Sequence, residues 1–213
     1  MHHVAAMSSP AQAPRTHSRA RIVGHGAVVL PRAGYLLERV AGASESTLRV
    51  TYGDDAQVLD VSAPEAAEST LAEVAPGPLM RAWRIETDTF ACAWPIGLTL
   101  ADDPDALSAF ILAGANGALI WVSGPMPRER ALPVENLADE GQNIRAVADE
   151  GENVRIDLDY VFEGEPWWQR RYVLAWTADT VLVLSGQAKA LDEEVVAAAI
   201  DEIAQSIAPS QPN

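Results

Sequence analysis

Residues 153–176, "NVRIDLDYVFEGEPWWQRRYVLAW", constrain the fold more than any other stretch of the chain. Val154, Ile156, Leu158, Tyr160 and Phe162 fall on one side of an extended backbone, with Arg155, Asp157 and Asp159 on the other. A period of two is the signature of a strand. With "EGEPW" as the hairpin loop, Phe162 faces Trp168, Tyr160 faces Arg170, Leu158 faces Tyr172 and Ile156 faces Leu174. That register keeps the apolar faces together and sets Asp159 opposite Arg171, whereas a slip of one residue would press Leu158 against Arg171. The next strands, "RYVLAW" and "TVLVLSG", turn at Ala178-Asp179 and are apolar on both faces. A sheet that hides both sides needs cover on both.

One cover is the last helix. Asp192 is a good N-cap, Glu193 and Glu194 suit the positive end of a helix dipole, and Leu191 can staple onto Val196. Val196, Ile200, Ile203 and Ile207 recur at helical spacing, and Pro209 follows the end. The predicted fold class is therefore α+β: an antiparallel sheet flanked by helices, an α/β/α sandwich, with extra N-terminal strands.

Upstream, residues 1–20 read as a disordered leader, poor in large apolar side chains. Short strands follow in "RIVGHGAVVLP", "GYLLERV", "TLRVTYG" and "AQVLDVS", then a short helix in "PEAAESTLAEVAPGP". Pro76-Gly77-Pro78 is the best internal boundary, dividing N-terminal strands plus a short helix (21–78) from a main domain (79–208), with 209–213 as a tail. In "FILAGANGALIWVSGP", Asn116-Gly117 supplies the two positive-φ positions of a type I′ turn, setting Ala115 opposite Ala118 and Ile111 opposite Val122. "PVENLADEG" reads as a helix of about two turns, from Pro133 to a left-handed cap at Gly141.

The chain also repeats itself: Ala138-Asp139-Glu140-Gly141 returns as Ala148-Asp149-Glu150-Gly151. A calcium loop needs oxygen ligands alternating through about twelve residues and ending on a bidentate glutamate, a spacing neither copy has. Turn chemistry explains both, the first closing a helix and the second a hairpin.

Composition narrows the function classes. A formal net charge of −15 argues against nucleic acid, whose phosphates demand clustered positive charge. No apolar run is long enough to span a membrane, and the N-terminus lacks the apolar centre of a secretory signal, so the expected location is the cytoplasm. The lone cysteine, Cys92, has no disulfide partner and sits among apolar neighbours. Of the four histidines, His2, His3 and His17 lie in the leader and only His25 beyond it. Nucleophile elbows, zinc-binding helices and phosphate loops are missing, and alternation or capping accounts for most paired carboxylates such as Asp157/Asp159 and Glu193/Glu194. No catalytic residue, metal or cofactor is predicted.

From Trp94 onward, the order of "WPIGLTL", "NGALIWVSGP", "PVENLADEG", "WWQRRYVLAWTADTVLVLSGQA" and "LDEEVVAAAIDEIAQSI" resembles the PsbP-like α/β/α sandwich superfamily, which includes DcrB-like lipoproteins and small type VI secretion effector chaperones. The likeness is one of pattern and order over residues 94–207. It implies a non-catalytic binding or assembly module and supplies no catalytic set. The chain departs from the lipoproteins in lacking a lipid-attachment cysteine after an apolar leader, and from the small chaperones in its strands at 21–75.

The candidate partner-binding residues are Trp167, Trp168, Arg170 and Arg171, because tryptophan beside guanidinium is a mixture enriched at interface hot spots. Trp168 is expected to enter the core and Trp167 to stay in the loop, while Trp121 reads as core. The expected function is a non-enzymatic cytoplasmic protein-binding module, such as a secretion chaperone, immunity-type partner or assembly adaptor. Its partner would be another protein, basic or with an exposed apolar segment, and a homodimer is compatible with this. The alternative is an enzyme or small-ligand binder with a pocket between sheet and helices.

Overall fold

The computed structural model describes residues 20–103 and 108–210. The leader predicted over residues 1–20 lies outside the described residues apart from Ala20, which is buried. Strands β1 (Arg21–Gly24), β2 (Ala27–Pro31), β6 (Ala72–Pro76), β7 (Arg84–Glu86), β8 (Phe90–Ala93) and β16 (Ala208–Pro209) form a six-stranded antiparallel sheet in the order β16-β8-β7-β1-β2-β6. The larger sheet takes β3 (Tyr35–Arg39), β4 (Thr47–Tyr52), β5 (Asp55–Asp60), β9 (Thr99–Ala101), β10 (Ile111–Ala113), β11 (Leu119–Pro127), β12 (Asn143–Glu150), β13 (Asn153–Phe162), β14 (Glu165–Ala175) and β15 (Thr180–Lys189). Its order is β12-β13-β14-β15-β11-β10-β9-β3-β4-β5. Strands from either side of Pro76-Gly77-Pro78 thus lie together, β7 beside β1 and β9 beside β3.

The fold is α+β, with mostly antiparallel sheet and one long helix, α2 (Glu193–Ser206). The inner face of the large sheet carries Leu37, Val50, Leu112, Ile120, Tyr172 and Leu184 into one core with Ile22 and Val29 of the small sheet and Val196, Ile200 and Ile203 of α2. The predicted second helical layer is much thinner. On the outer face, the four-residue helix α1 (Arg128–Ala131) and a 3-10 turn over Val134–Leu137 lay Ala131, Val134 and Leu137 on Ile156, Leu158, Val173, Val181 and Val183.

The β13–β14 register differs from the expected one. Glu163 and Gly164 take φ of 51° and 80°, so the loop holds two residues instead of five, and Phe162 pairs with Glu165. Trp168 lies opposite Asp159, Asp157 opposite Arg170, and Ile156 opposite Arg171. Pro166, which has no N–H to give, is tolerated because β15 ends at Lys189, opposite Trp167. The Asn116-Gly117 turn forms as expected, with both φ positive and the Ala118 N–H donating to the Ala115 carbonyl at 3.0 Å. Gly114 N–H also donates to the Ala118 carbonyl, at 2.8 Å. The extra residue is a bulge that shifts the ladder by one, so Ile111 pairs with Trp121 and not Val122.

Two predicted helices shrink. In "PEAAESTLAEVAPGP" a 3-10 turn covers only Pro64–Ala66. The Ser69 hydroxyl then accepts the N–H groups of Leu71 and Ala72 at 3.0 and 3.1 Å, ending the turn and launching β6. In "PVENLADEG" only Val134 and Leu137 bury, a spacing that suits one turn, and Gly141 (φ 86°) serves a β-turn closed by Gln142 N–H to the Asp139 carbonyl at 3.0 Å. The second copy, around Gly151 (φ 73°), is the β12–β13 hairpin turn. Leu191 is 76% exposed and makes no staple, and the Asp192 carboxylate accepts Asn116 Nδ2–H at 2.8 Å instead of capping α2.

Candidate binding face

Alternation along the large sheet decides which side chains meet on its outer face. One cross-strand row reads Ala56, Thr51, Leu36, Ala101, Ile111, Trp121, Ser185, Arg171, Ile156 and Val147. The row beside it includes Ala113, Leu119, Gln187, Gln169, Leu158 and Ile144. Residues 131–137 cover the part of this face over Ile156, Leu158 and Val173. The rest is open.

Where the cover stops, a cleft of about 320 Å³ opens among Trp121, Gln142, Tyr160, Phe162, Trp167, Gln169, Arg171 and Gln187. Tyr160 and Trp167 are a cross-strand pair whose rings stack at 6.2 Å, and Phe162 meets Trp167 edge-on at 6.0 Å. Phe162 is 54% exposed and neighbouring Val161 72%.

Amides and one ion pair make up the floor. Gln169 Oε1 accepts Gln142 Nε2–H at 2.8 Å and Arg171 Nη2–H at 3.2 Å, and Tyr160 O–H reaches Gln187 Oε1 at 3.3 Å. Arg171 also donates to the Leu137 carbonyl and to Asp139 Oδ2, the latter at 2.8 Å. Burial holds the Tyr160 hydroxyl above its ordinary range despite the opposing pull of Arg171, so it stays a neutral donor. The cleft offers aromatic faces and amides for non-covalent contact, with no activated nucleophile among them.

The four predicted site residues part company. Trp167 and Arg171 lie on the open face, whereas Trp168 and Arg170 point to the other side of β14, beneath α2. Trp168 is fully buried, as expected, but against the helix side and not against Phe162. Arg170 is held by Asp157 at 2.8 Å and Asp201 at 2.9 Å and lies over the Trp168 ring at 5.2 Å. Burial pulls its pKa down, but the two carboxylates outweigh that and raise it. Trp121, expected in the core, is half-buried on the open face. Tyr160, Phe162, Gln142, Gln169 and Gln187 were not singled out, because their convergence depends on the true register. Among the described residues no group of three His, Cys, Asp or Glu side chains converges as metal ligands would, and no helix is long and apolar enough to cross a membrane.

No protein-family model matches the chain, and no curated protein matches it in sequence. Among solved structures it is similar to LpqN, described as involved in cell envelope biogenesis of Mycobacterium tuberculosis, at 14% identity and a TM-score of 0.43, over 57% of this chain and 83% of that one. It is also similar to the PsbP of a Synechocystis cyanobacterium (CyanoP), at 11% identity and a TM-score of 0.36, over 58% of this chain and 88% of that one. Both are distant likenesses of fold.

Proposed function

We propose that this chain is a non-enzymatic, cytoplasmic protein-binding module whose working surface is the open outer face of the large sheet, centred on Trp167 and Arg171. One observation carries the reading: tryptophan, tyrosine and phenylalanine stand half-exposed to exposed beside a sheet face that its own covering segment leaves bare. Aromatic anchors ringed by polar side chains are the usual make-up of an interface centre. The test is affinity capture from a lysate of the source organism with the native chain and with Trp167→Ala. A specific partner held by the first and lost by the second, at unchanged melting temperature, supports the reading. Identical capture by both chains refutes it.

The size of the cleft favours a second reading, a small ligand seated between Trp121 and Trp167, since about 300 Å³ is the lower end of ligand clefts. This site lies on the open face and not between sheet and helix. A metabolite retained in native mass spectrometry and lost on Trp167→Ala would favour it.

A further inference from the structure

We propose that the cleft between Trp121 and Trp167 seats a cation, the guanidinium of an arginine carried by a basic segment of the partner protein. This rests on reading the outer face as a protein-binding surface, and it names the chemistry of the partner's anchor. Three observations lead to it.

The first is how the chain seats its own arginines. Arg39 lies over the Trp94 ring at 5.0 Å and donates to the Trp94 carbonyl. Arg170 lies over the Trp168 ring at 5.2 Å and is held by Asp157 and Asp201. Each site joins the negative face of an aromatic ring to oxygen acceptors, and a planar, weakly hydrated guanidinium uses both at once. The cleft offers the same parts: Trp121, Tyr160, Phe162 and Trp167 line it together with Asp139. Phe162 stands at 89° to Trp167 and Tyr160 at 30°, so rings wall the cleft from two directions. Among the described residues, no arginine or lysine lies over any of these four rings.

The second is charge. Arg171 is the one cation in the lining, and it is already engaged by Asp139 Oδ2 at 2.8 Å, Gln169 Oε1 at 3.2 Å and the Leu137 carbonyl. With Asp139 cancelling it, the lining is neutral. Glu140 and Glu163, each next in the chain to a lining residue, are exposed and form no ion pair among the described residues. The formal net charge of −15 draws cations from farther away and repels anions.

The third is the set of acceptors. Asp139 gives Oδ2 to Arg171 while its side chain stays 73% exposed, which leaves Oδ1 for a guest. Gln187 Oε1 takes the Tyr160 hydroxyl at 3.3 Å and keeps a second lone pair. A guanidinium brings five N–H donors in a fixed fork, whereas an ammonium brings three and a tighter water shell, so the cleft should favour arginine over lysine.

Fluorescence anisotropy on the full chain, with labelled Gly-Ser peptides carrying three arginines, three citrullines or three lysines, tests this. The arginine peptide should bind about ten-fold more tightly than the one with citrulline, its neutral isostere, and more tightly than the lysine peptide. Trp167→Ala should weaken the arginine peptide about ten-fold at unchanged melting temperature, and Trp167→Tyr should keep most of the binding. Because Trp167→Ala leaves the net charge as it is, general attraction to an acidic surface cannot produce that loss. Asp139→Asn should weaken the arginine peptide as well, since it removes an acceptor and leaves Arg171 uncancelled. Asp54→Asn, which removes the same charge from the exposed β4–β5 turn, should not. Equal binding of arginine and citrulline peptides, equal binding by the native chain and Trp167→Ala, a gain on Asp139→Asn, or no saturable binding of the arginine peptide overturns the proposal. If a partner protein held through Trp167 stays bound when the arginines of its contacting segment are changed to glutamine, the proposal falls while the protein-binding reading stands.

Discussion

Arg170 and Asp157 face each other across the β13–β14 ladder, with Nε and Nη2 donating to the two carboxylate oxygens at 2.8 and 3.3 Å. Both side chains are nearly buried, at 11% and 8% exposure, and Nη1 continues to Asp201 on α2. The pair ties the sheet to its helix. Removing one partner strands a charge in a dry site, so Arg170→Ala should cost about 3–5 kcal/mol in urea denaturation. Arg170→Met with Asp157→Leu should cost much less than the two single changes combined.

Gly186 sits where α2 presses on β15. A Cβ there would stand 2.6 Å from Ile200 Cγ1 and 3.2 Å from Ile120 Cγ1. Gly186→Ala should destabilise by about 1–3 kcal/mol through overpacking. Adding Ile200→Val should recover part of the loss, a non-additivity that a double-mutant cycle reads directly.

Burial pushes the Cys92 thiol up to about 12 from an ordinary 9.0, against a weak opposing pull from Arg84, and burial reinforced by Asp102 raises the Tyr35 hydroxyl as well. Raised values mean that the unfolded chain gives up these protons first. Stability should be full below about pH 9 and fall as pH climbs toward the folded value. Denaturation midpoints at about pH 8 and about pH 11 should show a smaller drop in Cys92→Ala than in the native chain.

Glu163 holds a left-handed backbone, φ 51°, in the first position of its hairpin turn. Asparagine tolerates that conformation better, so Glu163→Asn should stabilise by about 0.5 kcal/mol and Glu163→Val should destabilise by more. A thermal melt of each variant checks both directions.

What was legible in the sequence was local. The alternation from Val154 to Phe162 and the stripe of Val196, Ile200 and Ile203 are visible because a period of two or of 3.6 is written into neighbouring residues. The register of β14 was not, since it hangs on Glu163, a non-glycine residue, accepting positive φ. Nor was the pairing of β3 with β9, which joins residues 36 and 101 through a contact no local pattern encodes. The candidate face suffered for the same reason. Trp121, Tyr160 and Phe162 look like core in a strand pattern, and only the position of residues 131–137 determines that they are left uncovered.

The backbone passes from one sheet to the other four times: after β2, β5, β8 and α2. Neither layer can peel away while the other persists, because each is threaded through its neighbour at both ends, and the last two paired residues, Ala208 and Pro209, sew the terminus onto β8. The molecule should therefore melt in a single calorimetric step, with van't Hoff and measured enthalpies in agreement.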